Sequence, residues 1–156
     1  MNAEQIKLSS QEQAELLNIS PDYVRISMAA AIELGLKPGR IHGCGCGCIN
    51  LLQNYPEGCF ANCSYCGLAR ERPGLAEENS FIRVDWPLFS TELIAGKIAE
   101  KEAESTVGRV CISQVQDHRA NDDLIEITRK VHAAAPKVPL SGLVNATTMT
   151  VPFLEQ

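Results

Sequence analysis

Three cysteines, Cys59, Cys63 and Cys66, lie close together in this chain as a C-x3-C-x2-C run. Cysteine thiolates are the usual protein ligands of iron–sulfur clusters, and three of them can hold three corners of a [4Fe–4S] cube. The fourth iron then lacks a local protein ligand, so a substrate or cofactor can bind it directly. The spacing therefore predicts a [4Fe–4S] cluster with one open iron.

Zinc and disulfides are the alternative uses of these thiols. Structural zinc takes four closed ligands, often in two matching pairs, and no second pair follows the run. The chain has seven cysteines, an odd number, which disfavours a disulfide framework. The segment after Met1 shows neither the basic nor the apolar region of a secretory signal. We therefore expect a cytoplasmic, metal-binding chain, with zinc as the less favoured metal.

A second group of cysteines, Cys44, Cys46 and Cys48, occupies every second position of a Gly-Cys alternation. In an extended chain these side chains lie on one face, about 6.6 Å apart at about 3.3 Å per residue. That spacing is too wide for an unstrained disulfide between neighbours but suits ligands of one cluster. The segment predicts a second cluster or a sulfur-handling site, and the alternative is a Gly-rich loop with incidental thiols. His42 adjoins it and could ligate or tune a cluster.

The first run, with Tyr65 directly before Cys66, resembles the signature of radical S-adenosylmethionine (SAM) enzymes. The segment from Asn62 to Arg70, Asn-Cys-Ser-Tyr-Cys-Gly-Leu-Ala-Arg, is most similar to the biotin synthase and lipoyl synthase branch. The stretch from Val24 to Arg72 resembles the two-component lipoyl synthases. The resemblance implies that SAM binds the open iron, with Tyr65 near it. It also implies that reduction cleaves SAM to a 5′-deoxyadenosyl radical.

A sulfur-insertion reaction of the lipoyl synthase type is the activity that this resemblance implies. The second cysteine group would then hold the sulfur-donating cluster. The implied partners are an octanoyl chain on a carrier protein or peptide and an electron donor such as ferredoxin or flavodoxin. Two alternatives stay open. One is another radical SAM reaction of the same branch, and the other is a non-catalytic iron–sulfur or metal carrier.

Composition excludes several other classes of protein. The chain has 156 residues, 45% of them hydrophobic, which suits one globular domain with a core. The net charge is −5, the basic residues are scattered, and aromatic residues make up only 5%, so a nucleic-acid surface is not expected. No apolar run approaches the roughly 20 residues that span a membrane.

The alternation of apolar segments and turn signals predicts an α/β fold. Strands that alternate with helices indicate βαβ units and a parallel sheet. Predicted helices begin at Ser10, at Ser20-Pro21-Asp22 (ending near Gly35), at Ser90, at Asn121 and after Thr147, and predicted extended segments cover 49–52, 81–84, 108–115 and 138–144.

About three βα units follow from this pattern, whereas the family resembled here uses a partial barrel of about six. We therefore expect a helical segment over residues 1–40. Residues 41–156 are expected to form the N-terminal half of a radical SAM partial (β/α) barrel that carries the iron–sulfur loop. We also expect the chain to be a truncated part of the enzyme, and to be oligomeric or poorly soluble and inactive in SAM cleavage alone.

Polar residues at the ends of the predicted strands are the remaining candidates for a site, because ligands bind at the carboxyl ends of parallel strands. Ser113, Gln114 and Gln116 occupy the position where the family binds the SAM amino group, and Ser113 and Gln116 are the predicted cofactor contacts. Asn145 and Thr147 follow the next strand. The other candidates have simpler explanations. We expect His118 to be solvated, Cys111 to be buried as a small apolar side chain, and Trp86 to serve in packing or as a wall of the cluster site.

Overall fold

The computed structural model describes residues 18–42, 47–74, 81 and 84–156. Within these residues the chain forms one sheet of five strands and four helices. The strands are β1 (Tyr23–Ile26), β2 (Cys48–Gln53), β3 (Leu88–Ser90), β4 (Arg109–Ser113) and β5 (Leu140–Leu143). The helices are α1 (Met28–Glu33), α2 (Thr91–Ala103), α3 (Ala120–Ala134) and α4 (Val151–Leu154).

The sheet is mixed, with the strand order β3-β1-β2-β4-β5. Strands β2, β4 and β5 run parallel, whereas β1 is antiparallel to both of its neighbours. The predicted α/β class is confirmed, but the expectation of a wholly parallel sheet is wrong. Helix α2 leads into β4 and α3 leads from β4 to β5, so the parallel part has the expected alternation.

The predicted helix from Ser20-Pro21-Asp22 to Gly35 is wrong in its first half. Residues Tyr23–Ile26 form strand β1, in which Val24 and Ile26 are fully buried and alternate with less buried neighbours. Val and Ile favour strands, and β1 gains two hydrogen-bonded neighbours inside the sheet. The helix begins only after Ser27, whose side chain accepts a hydrogen bond from the Ala30 N–H.

Most of the other predicted elements agree with the structure to within a few residues, but Phe81 and Val84, the described ends of the predicted extended segment, lie in no strand. Ser90 caps α2 through a hydrogen bond from the Leu93 N–H, as its sequence predicted. Helix α3 begins at Ala120, so the predicted cap at Asn121 lies inside the first turn. Strand β3 was missed. The predicted helix from Ser10 lies outside the described residues, as do positions 82–83 of the predicted extended segment 81–84.

Two hydrophobic clusters hold this fold together. The larger cluster joins alternate residues of the inner strands, such as Ile49 and Leu51, to apolar residues of α2 and α3. The smaller cluster contains Leu52, whose side chain points to the other face of β2 because neighbouring strand residues alternate. It includes residues of the loops that follow β2 and β4, and its buried members are Leu52, Tyr55, Trp86, Val115 and Ala120.

Candidate metal centre

The C-x3-C-x2-C run lies on the loop that follows β2, at the carboxyl edge of the parallel strands. Gly58 has φ +74°, a left-handed conformation that favours glycine, and it leads directly into Cys59. The Phe60 N–H donates to the Gln116 carbonyl at 2.8 Å, and the Gln116 N–H donates to Cys59 Sγ at 3.3 Å. Since Gln116 follows β4, the cysteine loop is attached to the loop of the neighbouring parallel strand.

Backbone hydrogen bonds also shape the rest of the cysteine loop. The Cys66 N–H donates to the Cys63 carbonyl at 3.1 Å, which closes a turn between these two cysteines. The Arg72 guanidinium donates to the carbonyls of Cys66, at 3.0 Å, and Ser64, at 2.7 Å. The Cys66 carbonyl also accepts from the Ala69 N–H at 3.3 Å, so the guanidinium adds a second bond there and places a positive charge beside the cysteines.

The three cysteines share one loop but differ in exposure. Cys59 and Cys66 are half-buried, Cys63 is exposed, and none of the three forms a disulfide. Tyr65 is 86% exposed, so its ring projects from the loop. Among the residues that the structure describes, no three His, Cys, Asp or Glu side chains converge closely enough to hold a metal ion, and the loop cysteines are included in that finding.

The donor chemistry of the loop nevertheless fits an iron–sulfur cluster. Three thiols with no carboxylate between them form the ligand set that such clusters prefer. Cys59 Sγ accepts a backbone N–H, a bond typical of thiolate ligands. Cys59 also packs against the smaller hydrophobic cluster, in which the buried Trp86 Nε1–H has no hydrogen-bond partner within the described chain. The site thus combines thiols, an N–H donor and an apolar wall.

A cavity of about 300 Å³ opens beside Cys59. Its wall mixes charged side chains with apolar ones such as Phe60 and Leu68. Arg70 and Arg72 supply positive charge and Glu57 supplies one carboxylate, so the cavity suits a small molecule that carries both charges.

The second cysteine group lies largely outside the described residues. Cys44 and Cys46 lie outside the described residues, whereas Cys48 is the first residue of β2 and is half-buried. Gly47 has φ +58°, and a Cβ there would lie 2.7 Å from the Gly108 nitrogen and from the Thr106 carbonyl oxygen. Glycine is therefore required at position 47, because the segment that leads into β4 approaches it too closely for any side chain. His42 is exposed.

Four of the predicted strand-end residues, Gln114, Gln116, Asn145 and Thr147, form one hydrogen-bonded network at the carboxyl edge. Ser113, at the end of β4, is buried. The Gln114 side chain accepts from the Asn145 N–H at 3.2 Å and donates to Asn121 Oδ1 at 2.6 Å. Gln116 is half-buried and donates through its side chain to Gln114 at 3.3 Å. Thr147 is exposed and bonds to Asn145.

Asp117, His118 and Arg119 follow Gln116 on the same loop. The Asp117 side chain is 1% exposed, and its carboxylate lies 3.1 Å from His118 Nδ1 and 3.4 Å from Arg119 Nε. His118 itself is 75% exposed, in agreement with the expected solvated histidine. Cys111 is half-buried in β4 rather than part of the core. Trp86 is buried and packs edge-on against Phe81, with ring centroids 5.6 Å apart.

A buried pair that the sequence analysis missed lies beneath these loops. The Tyr55 hydroxyl donates to Asp123 Oδ2 at 2.7 Å, and the Arg119 guanidinium lies 5.0 Å from the centre of the Tyr55 ring. Burial raises the pKa of Tyr55, and the Asp123 bond raises it further. Burial also raises the pKa of Asp123, against the opposing effect of the Tyr55 bond. No local motif marks this pair, because its members lie 68 positions apart.

The raised pKa of Asp123 predicts a pH-dependent contribution to stability. The folded chain binds this proton more tightly than the unfolded chain. The free energy of unfolding should therefore fall as pH rises from about the ordinary pKa of 3.8 through the raised folded value. Asp123→Asn lacks this titration, so the stability of wild type relative to this variant should decline with pH in urea unfolding between pH 4 and 7. Asp122→Asn, which changes an exposed carboxylate, is the control. If the stability of wild type relative to Asp122→Asn declines with pH as much as it does relative to Asp123→Asn, the effect does not come from Asp123.

No family model, curated protein or solved structure matches this chain in the comparisons with known proteins. Within its described part, no helix is long and apolar enough to cross a membrane.

Proposed function

We propose that this chain is a radical SAM protein that binds a [4Fe–4S] cluster through Cys59, Cys63 and Cys66. The observation that carries the proposal is the position of the C-x3-C-x2-C loop. It follows β2 at the carboxyl edge, and it is bonded to the loop after the parallel strand β4. Ligands of parallel α/β sheets bind at this edge, where loops of neighbouring strands meet.

The residues around the loop have complementary roles in this proposal. When bound, the cluster supplies the electron that cleaves SAM to a 5′-deoxyadenosyl radical. Tyr65, Ser113 and Gln116 are the proposed contacts of SAM. The cavity beside Cys59 offers both charges for its amino acid part, with Arg70 and Arg72 for the carboxylate and Glu57 for the ammonium. The apolar cluster beneath the loop limits access of water from that side.

The sheet also suits the proposed half-barrel. Strands β2, β4 and β5 lie side by side in the sheet and are all parallel, as successive strands of a (β/α) barrel are. Strand β1 and the short β3 add an antiparallel side that the barrel interpretation does not require. On this interpretation β2, β4 and β5 are the first three barrel strands.

The proposed reaction is sulfur insertion of the lipoyl synthase type. Cys44, Cys46 and Cys48 would hold a second, sulfur-donating cluster next to the start of β2. The proposed substrate is an octanoyl chain on a carrier protein or peptide, and the electron donor is a ferredoxin or flavodoxin. Another radical SAM reaction of the biotin synthase-like branch would use the same first cluster with a different substrate. The proposed location is the cytoplasm.

A non-catalytic carrier of iron–sulfur clusters is the second candidate function. The exposure of Cys63 and Tyr65 favours it, because a cluster held there is accessible to an acceptor protein. Such a carrier would release its cluster to an apo-acceptor and would show no response to SAM.

Spectroscopy of the anaerobically reconstituted chain tests the proposal. We expect iron and acid-labile sulfide in equal amounts, no stoichiometric zinc, and a reduced-cluster electron paramagnetic resonance (EPR) signal that changes when SAM is added. The change is expected because SAM binds the open iron. Zinc without sulfide would exclude the cluster. A cluster whose EPR signal ignores SAM, but which transfers to an apo-ferredoxin, would establish the carrier instead.

A further inference from the structure

The bond between the Gln116 N–H and Cys59 Sγ has a specific structural support. Two hydrogen bonds connect the same short segments in opposite directions: Gln116 donates to Cys59 Sγ at 3.3 Å, and its carbonyl accepts from Phe60 at 2.8 Å. The pair sets the distance between the sulfur and the loop after β4. Displacing this loop would break both bonds together.

The side chain of Gln53 holds this loop at both of its ends. Gln53 is the last residue of β2 and is 1% exposed. Its Nε2 donates to the Ala120 carbonyl at 2.7 Å, and its Oε1 accepts from the Val115 N–H at 3.2 Å. The amide side chain supplies the donor and the acceptor that these two bonds need. Because both backbone groups are buried, losing the amide would leave them without these partners.

The segment between these two ends is also closed on itself. The Ala120 N–H donates to the Asp117 carbonyl at 3.1 Å, and the Arg119 N–H donates to the Asp117 carboxylate at 2.9 Å. Gln116 therefore lies between Val115, whose N–H is bonded to Gln53, and the tightly bonded turn that begins at Asp117. Its N–H is aimed at the sulfur by the protein and does not depend on a bound group for its direction.

We propose that the Gln116 N–H, positioned by Gln53, raises the reduction potential of the cluster held by Cys59. This inference rests on the proposed function only in requiring that Cys59 ligates the cluster. Reduction adds negative charge, which spreads onto the ligand sulfurs. An N–H that points at a sulfur stabilises the reduced state more than the oxidised state, and such bonds set cluster potentials. Gln116 contributes through its backbone and Gln53 is a positioning residue.

A proline substitution removes the donor itself. Gln116→Pro lacks the N–H, whereas Gln116→Ala keeps it and loses only the side chain. We expect an EPR-monitored redox titration of the reconstituted full chain to show a more negative midpoint potential for Gln116→Pro than for wild type. Gln116→Ala should have the wild-type midpoint potential when the titration is made without SAM, because its backbone N–H is retained. Iron content and circular dichroism show whether each variant folds and holds its cluster.

Gln53→Met tests the positioning role and covers the case in which the proline variant does not fold. Methionine has similar length and no strong donor or acceptor, so it frees the loop without touching Gln116. We expect a shift in the same direction and smaller than that of Gln116→Pro. If every folded variant titrates at the wild-type potential, the inference is wrong, but the proposed cluster is unaffected. If wild type binds no cluster, both the inference and the proposed function are wrong. If it binds a cluster whose EPR signal does not change with SAM, only the proposed enzymatic function is wrong.

Discussion

Replacing Cys59, Cys63 and Cys66 together by alanine is expected to remove one full [4Fe–4S] equivalent of iron and sulfide from the reconstituted chain. The three thiols are the only protein ligands that the proposed cluster has, so alanine leaves it without attachment. The SAM-dependent EPR change should disappear completely. Chemical analysis of iron and sulfide, together with EPR before and after addition of SAM, measures both effects.

Cys111→Ala is the matched control for this triple variant. It also removes a half-buried thiol, but from the middle of β4 and away from the cysteine loop. The control should keep the iron and the SAM response of wild type. Circular dichroism should show that the triple variant still folds, since the loop cysteines lie outside the larger hydrophobic cluster and only Cys59 packs against the smaller one. Wild-type iron content in a folded triple variant would exclude these cysteines as ligands.

Removing the second cysteine group is expected to lower the iron content by another full cluster equivalent. Cys44, Cys46 and Cys48 alternate with glycine, so their thiols can approach one metal cluster from a chain with little side-chain bulk. The triple alanine variant should keep the SAM-dependent EPR change, because that signal belongs to the cluster on the other loop. The two sites are therefore expected to be lost independently.

The double variant Cys44→Ala/Cys46→Ala separates ligand loss from damage to β2. Cys48 begins that strand and pairs in register with Arg109 of β4, whereas the double variant leaves the strand intact. Both variants should lose the same cluster equivalent, and His42→Ala should show whether the neighbouring imidazole contributes. If iron and sulfide are equal in wild type, double and triple variants, no second cluster exists.

Local sequence patterns determined much of this fold. The segment 49–52 was sufficient to predict β2, because three of its four residues are branched apolar side chains, which are favourable in an inner strand. Ser90 predicted the start of α2, because a cap bonds to a backbone N–H only three residues away. The cysteine spacing likewise placed all three thiols on one loop. Each of these features depends on residues that are close in the chain.

Contacts between distant segments decided the rest. Residues 23–26 became strand β1 because the sheet offers hydrogen-bond partners on both sides, and this gain exceeds the local preference for a helix after Ser20-Pro21. The Tyr55–Asp123 pair and the bond from Gln116 to Cys59 join residues 68 and 57 positions apart. A spacing rule reports only which side chains share a turn or a face. Which N–H points at which sulfur depends on how the loops after β2 and β4 pack together, and only the tertiary structure determines that.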